Sequence, residues 1–225
     1  MTSANKPVFD TPVDQATVTV NLSAIQANLR LAKQLAPDAR LLAMVKANAY
    51  GHGMIEVAKS IANQTDYFGV ARINEALELK EALAAQSSHK PIVVLSELLD
   101  LEKLRFMKAH QLTPVIYSDN NFISTLKCVE SLELPYWLKL DTGMHRLGLQ
   151  QSAASTLSGA KYCQVLATHF HSAELSPEKS NQPLLNTLNT AEQLASFERW
   201  TNSYFVQAKP ATAYSIANSA TLLNH

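Results

Sequence analysis

Cysteine is nearly absent. Cys128 and Cys163 are the only two in 225 residues. They stand far apart, outside any C-x-x-C spacing, so neither a disulfide framework nor a zinc site is expected, and a reducing compartment is the natural home. An excess of either charge is also missing. The 19 Lys and Arg residues balance the 19 Asp and Glu, leaving no net field to draw in nucleic acid or an anionic membrane. No run approaches the ~18 apolar residues needed to span a bilayer. The opening MTSANKPVFDTPVDQ lacks the basic stretch and apolar core of a secretory signal. The scattered histidines, His52 among them, show no H-E-x-x-H spacing, so no metal is expected. What is left is a cytoplasmic globular protein, 47% hydrophobic and 17% charged, with no low-complexity stretch and no partner among membranes or nucleic acids.

What is present is a regular alternation. Seven strand-like runs recur: LLAMVK (41–46), YFGVAR (67–72), PIVVLS (91–96), LTPVIYS (112–118), YWLKLD (136–141), CQVLATHF (163–170) and ATAYSIA (211–217). Most lack strict alternation of apolar and polar residues, as strands buried on both faces of a parallel sheet do. Helical spacing fills the intervals. NLSAIQANLRLAKQL puts Ile25, Leu29 and Ala32 on one stripe, with Ser23 and Gln26 as the expected capping box. NEALELKEALA, ELLDLEKLRFMKAH and NTAEQLASFERWTNSYF follow the same logic. Such β-then-α alternation implies right-handed parallel crossovers, either in an open doubly wound sheet or in a barrel. The preferred class is α/β, a TIM-type (βα)8-like barrel that is incomplete with about seven βα units. An N-terminal segment, 1–22, carries one alternating strand, QATVTVNL (15–22), and the barrel domain takes up 23–225.

The strand ends carry the chemistry. Lys46 closes the first strand and Arg72 the second, Asp141 precedes TGMHRLG, His169 ends the sixth, and ANSA (217–220) follows the seventh. In a barrel these ends converge on one mouth. A lysine among other cations in an enclosed mouth loses proton affinity and becomes an amine nucleophile toward a carbonyl. The NSA turn offers a hydroxyl and backbone N–H groups, the equipment for a phosphate. A phosphate-bearing carbonyl compound held by a lysine is either pyridoxal phosphate or a sugar-phosphate aldolase substrate. Each residue also has a plainer structural reading. Lys46 could snorkel from a strand end, His169 could be an internal histidine bonded to a carbonyl, and Arg146 could be a surface ion pair. Asp141 could be a turn residue and NSA a helix cap.

MVKANAYGHG closely resembles the pyridoxal phosphate attachment motif of alanine racemases. LKLDTGMHRLG (138–148), ATHFHSAE (167–174) and IANSA (216–220) resemble that family's later motifs, in family order. The resemblance implies a pyridoxal 5'-phosphate enzyme that interconverts L- and D-alanine and supplies D-alanine for peptidoglycan, homodimeric in the family. It implies that Lys46 forms the Schiff base and serves as one of two catalytic bases. Tyr50 and Ser219 would hold the phosphate with Asn218 beside them, and His169 would lie against the pyridine ring. Arg146 would meet the phenolic oxygen and the substrate carboxylate. Lys139 matches a position that is carbamylated in some relatives and steadies that arginine. The family's pattern also has an eighth strand with an arginine, then a C-terminal β domain whose tyrosine serves the opposite face. Neither is found by position 225, so a truncated form is expected. The alternatives are a stand-alone pyridoxal phosphate-binding barrel without racemase activity, a Schiff-base aldolase, and a catalytically inactive scaffold.

Overall fold

The computed structural model describes residues 17–117, 121–150, 160–173, 189–204 and 213–224. The chain runs α1 (Leu22–Leu35), β1 (Leu42–Met44), a short turn α2 (Lys46–Tyr50), α3 (Met54–Ile61), β2 (Tyr67–Val70), α4 (Ile73–Ala84) and β3 (Ile92–Val94). It continues through α5 (Leu101–Ala109), β4 (Leu112–Ile116), α6 (Phe122–Ser131), β5 (Tyr136–Lys139), β6 (Cys163–Ala167), α7 (Thr190–Tyr204), β7 (Ala213–Ser215) and α8 (Ser219–Asn224). All seven expected strands form, and they lie in sequence order in one parallel sheet. Among the described residues no ladder joins β7 to β1. Outside the sheet, α1 nevertheless packs against both α3 and α8. The sheet is therefore curled like a barrel and open at one seam.

Two layers of apolar contact hold this shape. Side chains pointing outward from the strands pack under the helices, as Phe68, Val70, Ile92 and Val94 do against Ala76, Leu79 and Leu83 of α4. Inward-pointing residues fill the barrel: Val93, Val115, Trp137 and Val165, with Leu42, Tyr67, Leu95 and Ala167 around them. The Tyr67 and Trp137 rings meet edge to face at 5.7 Å, a favoured aromatic geometry. Successive side chains alternate between faces, so Lys139, two residues beyond Trp137, also points inward, one layer nearer the carboxyl-terminal mouth.

Two local expectations are corrected. The cap of α1 is Asn21, whose Oδ1 accepts from the Ala24 N–H at 3.0 Å; Ser23 lies inside the helix. Asparagine caps at least as well as serine, and the chain enters the helix two residues earlier than the box predicts. The strand expected over 15–22 does not form in its described part. Residues 17–21 are irregular, Leu22 opens α1, and Val18 is 85% exposed. An alternating pattern makes a strand only where a neighbouring edge accepts its N–H and C=O groups. Residues 15, 16, 118, 174, 211 and 212 of the expected strands and motifs lie outside the described residues. Among the described residues, no helix is long and apolar enough to cross a membrane.

Candidate active site at the carboxyl ends of the strands

Lys46 stands one residue beyond Val45, whose N–H extends the β1–β2 ladder to the Gly69 carbonyl at 2.9 Å. The chain then turns left-handed. Ala47, Asn48, Ala49 and Tyr50 have φ between 50 and 55°, and Gly51 closes the turn at φ 87°. L-residues lose about 1–2 kcal/mol each in this conformation, so several bonds must hold it. The Gly51 N–H reaches the Ala47 carbonyl at 3.2 Å and the Gly53 N–H reaches that of Asn48 at 2.9 Å. Asn48 Oδ1 accepts from the Met54 N–H at 2.8 Å, and His52 Nδ1–H donates to the Ala49 carbonyl at 2.8 Å. His52 thus fastens the turn. The winding places the Lys46 ammonium 5.9 Å from the centre of the Tyr50 ring, at the outer limit of a cation–π contact. Tyr50 is 60% exposed.

The segment after β5 forms a closed loop. Leu149 returns to pair beside Leu140, its N–H bonding the Lys139 carbonyl at 2.8 Å. Asp141 organises the interior of that loop. Its Oδ1 accepts from the N–H groups of Gly143 and His145, both at 3.0 Å, and its Oδ2 meets His145 Nδ1 and Gln150 Nε2, both at 3.1 Å. Burial works to raise its pKa, but these bonds and the His145 charge outweigh it and hold the carboxyl below the usual aspartate value. The turn-residue reading of Asp141 is therefore the structural one. Gly148 completes the loop at φ 146°, and a Cβ there would lie 2.4 Å from the Asp141 nitrogen. The loop carries Arg146 exposed at its rim.

Lys139, Arg146, Lys46 and His169 share one electrostatic environment. Burial, then the charges of Arg146 and Lys46, pull the Lys139 ammonium from 10.5 down to about 8, with Asp141 in part opposing. Burial, then Lys139, Arg146, Lys46 and His171, lower the pKa of His169 below 6.5, so its ring is neutral near pH 7. The backbone at His169 is held by a buried amide. Gln193 of α7, 0% exposed, donates from Nε2 to the His169 carbonyl at 3.1 Å and to Thr142 Oγ1 at 3.3 Å. Its Oε1 accepts from the His171 N–H at 3.2 Å. On the β7 side, Asn218 donates from Nδ2 to the Phe170 carbonyl at 2.8 Å and accepts at Oδ1 from the Thr221 N–H at 2.9 Å and the Thr221 hydroxyl at 3.0 Å. Both ends of its amide are used within the protein, and it sets Ser219, exposed, as the first residue of α8.

The Arg72 guanidinium is 3.8 Å from Glu97, which also binds Lys103 at 3.1 Å. Among the described residues no group of three histidine, cysteine or acidic side chains could hold a metal. Sequence reasoning missed Gln193 and Glu75. Gln193 gave a usable signal, a polar residue on the buried stripe Gln193, Phe197, Trp200.

Comparison with known proteins places the chain in a family. The family model described as alanine racemase, N-terminal domain, matches residues 20–225. An alanine racemase of Hamiltonella defensa is 36% identical over 92% of this chain and 55% of its own length. One of Pectobacterium carotovorum is 38% identical over 92% and 54%. Among solved structures, the alanine racemase of Bartonella henselae with covalently bound pyridoxal phosphate superposes with a TM-score of 0.75 at 26% identity, over 92% of this chain and 57% of that one. The biosynthetic alanine racemase of Pseudomonas aeruginosa gives 0.69 at 30% identity, over 91% and 54%. The chain spans little more than half the length of these relatives. It belongs to the alanine racemase family and corresponds to that family's N-terminal domain.

Proposed function

We propose that this chain is the cofactor-holding barrel of a cytoplasmic, pyridoxal phosphate-dependent racemase that interconverts L- and D-alanine for peptidoglycan synthesis. The convergence of Lys46, Lys139, Arg146 and His169 on one mouth carries the reading. The donor set fits the cofactor: at Lys139 the charges of Arg146 and Lys46 are opposed by Asp141, which is engaged within its own loop, and Glu75 beside Lys46 is taken up by backbone N–H groups. Surplus positive charge suits an anionic ligand, and a lysine amine suits an aldehyde. Pyridoxal phosphate, when bound, supplies that aldehyde and a ring that draws electrons from a substrate α-carbon.

The protein's own groups do the rest. Lys46 holds the cofactor and moves the α-proton on one face. Tyr50 and Ser219 bind phosphate, with Asn218 fixing Ser219. Neutral His169 would sit against the cofactor's ring without adding another charge. Arg146 orients a phenolic oxygen and a carboxylate. The free amine of Lys139 adds to carbon dioxide, forming an N–C bond and releasing one proton, and the carboxylate so made pairs with Arg146. Racemisation needs a proton-transfer group on each face; in the family's pattern the second is a tyrosine of a β domain, brought in by homodimer formation.

The test is absorbance and turnover in the full chain loaded with pyridoxal phosphate. A yellow protein that loses its colour in Lys46→Ala is the expected result, with any conversion of L- to D-alanine lost too. Colour without turnover keeps the cofactor role and contradicts racemisation by this chain alone. A colourless protein that traps a sugar phosphate contradicts both.

A further inference from the structure

We propose that Glu75 is the positioning residue for Lys46. Glu75 is the third residue of α4, and its Oε2 accepts from the N–H groups of Ala71 at 2.7 Å and Arg72 at 3.1 Å. That is the ordinary task of an acidic residue in a helix's first turn. The second oxygen is not needed there. It reaches 28 positions back in the chain and accepts from the Ala47 N–H at 2.7 Å. Ala47 directly follows Lys46 and is the first left-handed residue of the turn. One carboxylate therefore fastens the strained turn to the end of β2 and the start of α4, which are themselves anchored in the core through Val70 and Ala76. The α4 terminus has a further restraint that does not involve the turn: Glu97 Oε2, beyond β3, takes the Ile73 N–H at 3.2 Å.

The chemistry requires glutamate. A carboxylate accepts at both oxygens, whereas the amide of glutamine accepts at one and presents a donor at the other. The substitution Glu75→Gln keeps either the bond within α4 or the bond to Ala47, and sets an N–H against an N–H at the remaining position. The turn then loses a restraint without losing volume, and the Lys46 amine samples positions away from the mouth.

The inference rests on the cofactor role of Lys46, and the experiment separates the two. The full chain is compared as wild type, Glu75→Gln and Glu130→Gln. Glu130 is the control for a carboxylate-to-amide change away from the mouth: its Oε1 alone accepts from the Tyr136 hydroxyl at 2.8 Å and the Tyr162 N–H at 3.2 Å, at the opposite end of β5, so glutamine can keep both bonds. Two readouts are taken. The first is hydrogen exchange over residues 46–51 in cofactor-free protein. The second is the rate of borohydride-trapped attachment of pyridoxal phosphate to the Lys46 peptide. Glu75→Gln is expected to raise exchange and slow attachment tenfold or more. Glu130→Gln is expected to leave both within twofold. Attachment at the wild-type rate in Glu75→Gln, or equal slowing in Glu130→Gln, overturns the proposal. So does exchange of the wild-type Ala47 amide at the rate of an exposed loop, which needs no variant. Failure of wild type to attach cofactor at Lys46 sinks the functional reading instead, while the exchange data still decide the clamp.

Discussion

Lys139 points into the barrel above Trp137, with Arg146 and Lys46 as charged neighbours. Its depressed pKa, about 8, has a sign that can be checked. Below pH 8 the native and unfolded chains both carry the proton. Between about 8 and 10.5 the unfolded chain binds more, so stability rises with pH across that window. Lys139→Met removes a buried like-charge conflict and is expected to stabilise the cofactor-free chain at pH 7 by on the order of 1–3 kcal/mol in urea unfolding, while loosening Arg146. An unchanged or lower midpoint contradicts the electrostatic picture. His169 follows the same rule at lower pH. Its imidazole carbon resonance is expected to titrate below 6.5, and stability falls on acidification, because the unfolded histidine takes its proton first. At this scale residue type and strand end together single out Lys46 and His169, which share an electrostatic environment with Lys139 and Arg146, whereas Arg146 stands out only through the resemblance. The sequence was silent on Glu75, whose decisive bond spans 28 positions.

At the scale of elements, periodicity and punctuation predicted most of what forms. The strand runs are short, apolar and bounded by polar residues, and each folds within its predicted bounds. The helices α3 and α6, with buried stripes Met54, Val57, Ala58, Ile61 and Phe122, Leu126, Val129, fill intervals the pattern left unnamed. The left-handed turn was not legible, because alanine and tyrosine give no local signal for positive φ. Distant bonds impose it. The loop 140–149 tests how such bonds act. Gly148→Ala adds a Cβ 2.4 Å from the Asp141 nitrogen, against backbone that cannot swing aside. A loss of at least about 2 kcal/mol in stability is expected, along with weaker cofactor retention as Arg146 shifts. A neutral substitution would show that the loop is softer than its bonding suggests.

For the whole molecule, the seam between β1 and β7 sets the weak point. Every residue of β1 is partly exposed and two of the three in β7 are exposed, whereas all three of β3 are buried. Native-state hydrogen exchange is expected to be faster at β1 and β7 by tenfold or more than at β3 and β4, and equal protection would contradict an open seam. Unpaired edges also invite association, so sedimentation is expected to depend on protein concentration. The parallel α/β class was readable from the alternation, which left an open doubly wound sheet and a barrel both possible. The seam was readable only as a count of units, since strand pairing is settled in three dimensions.

All of these scales meet at the ε-amine of Lys46, and reductive trapping tests it most directly. Protein saturated with pyridoxal phosphate, reduced with borohydride and digested, is expected to show a single phosphopyridoxyl group on the Lys46 peptide. An unmodified Lys46 in such protein, or label scattered over surface lysines, would contradict the account.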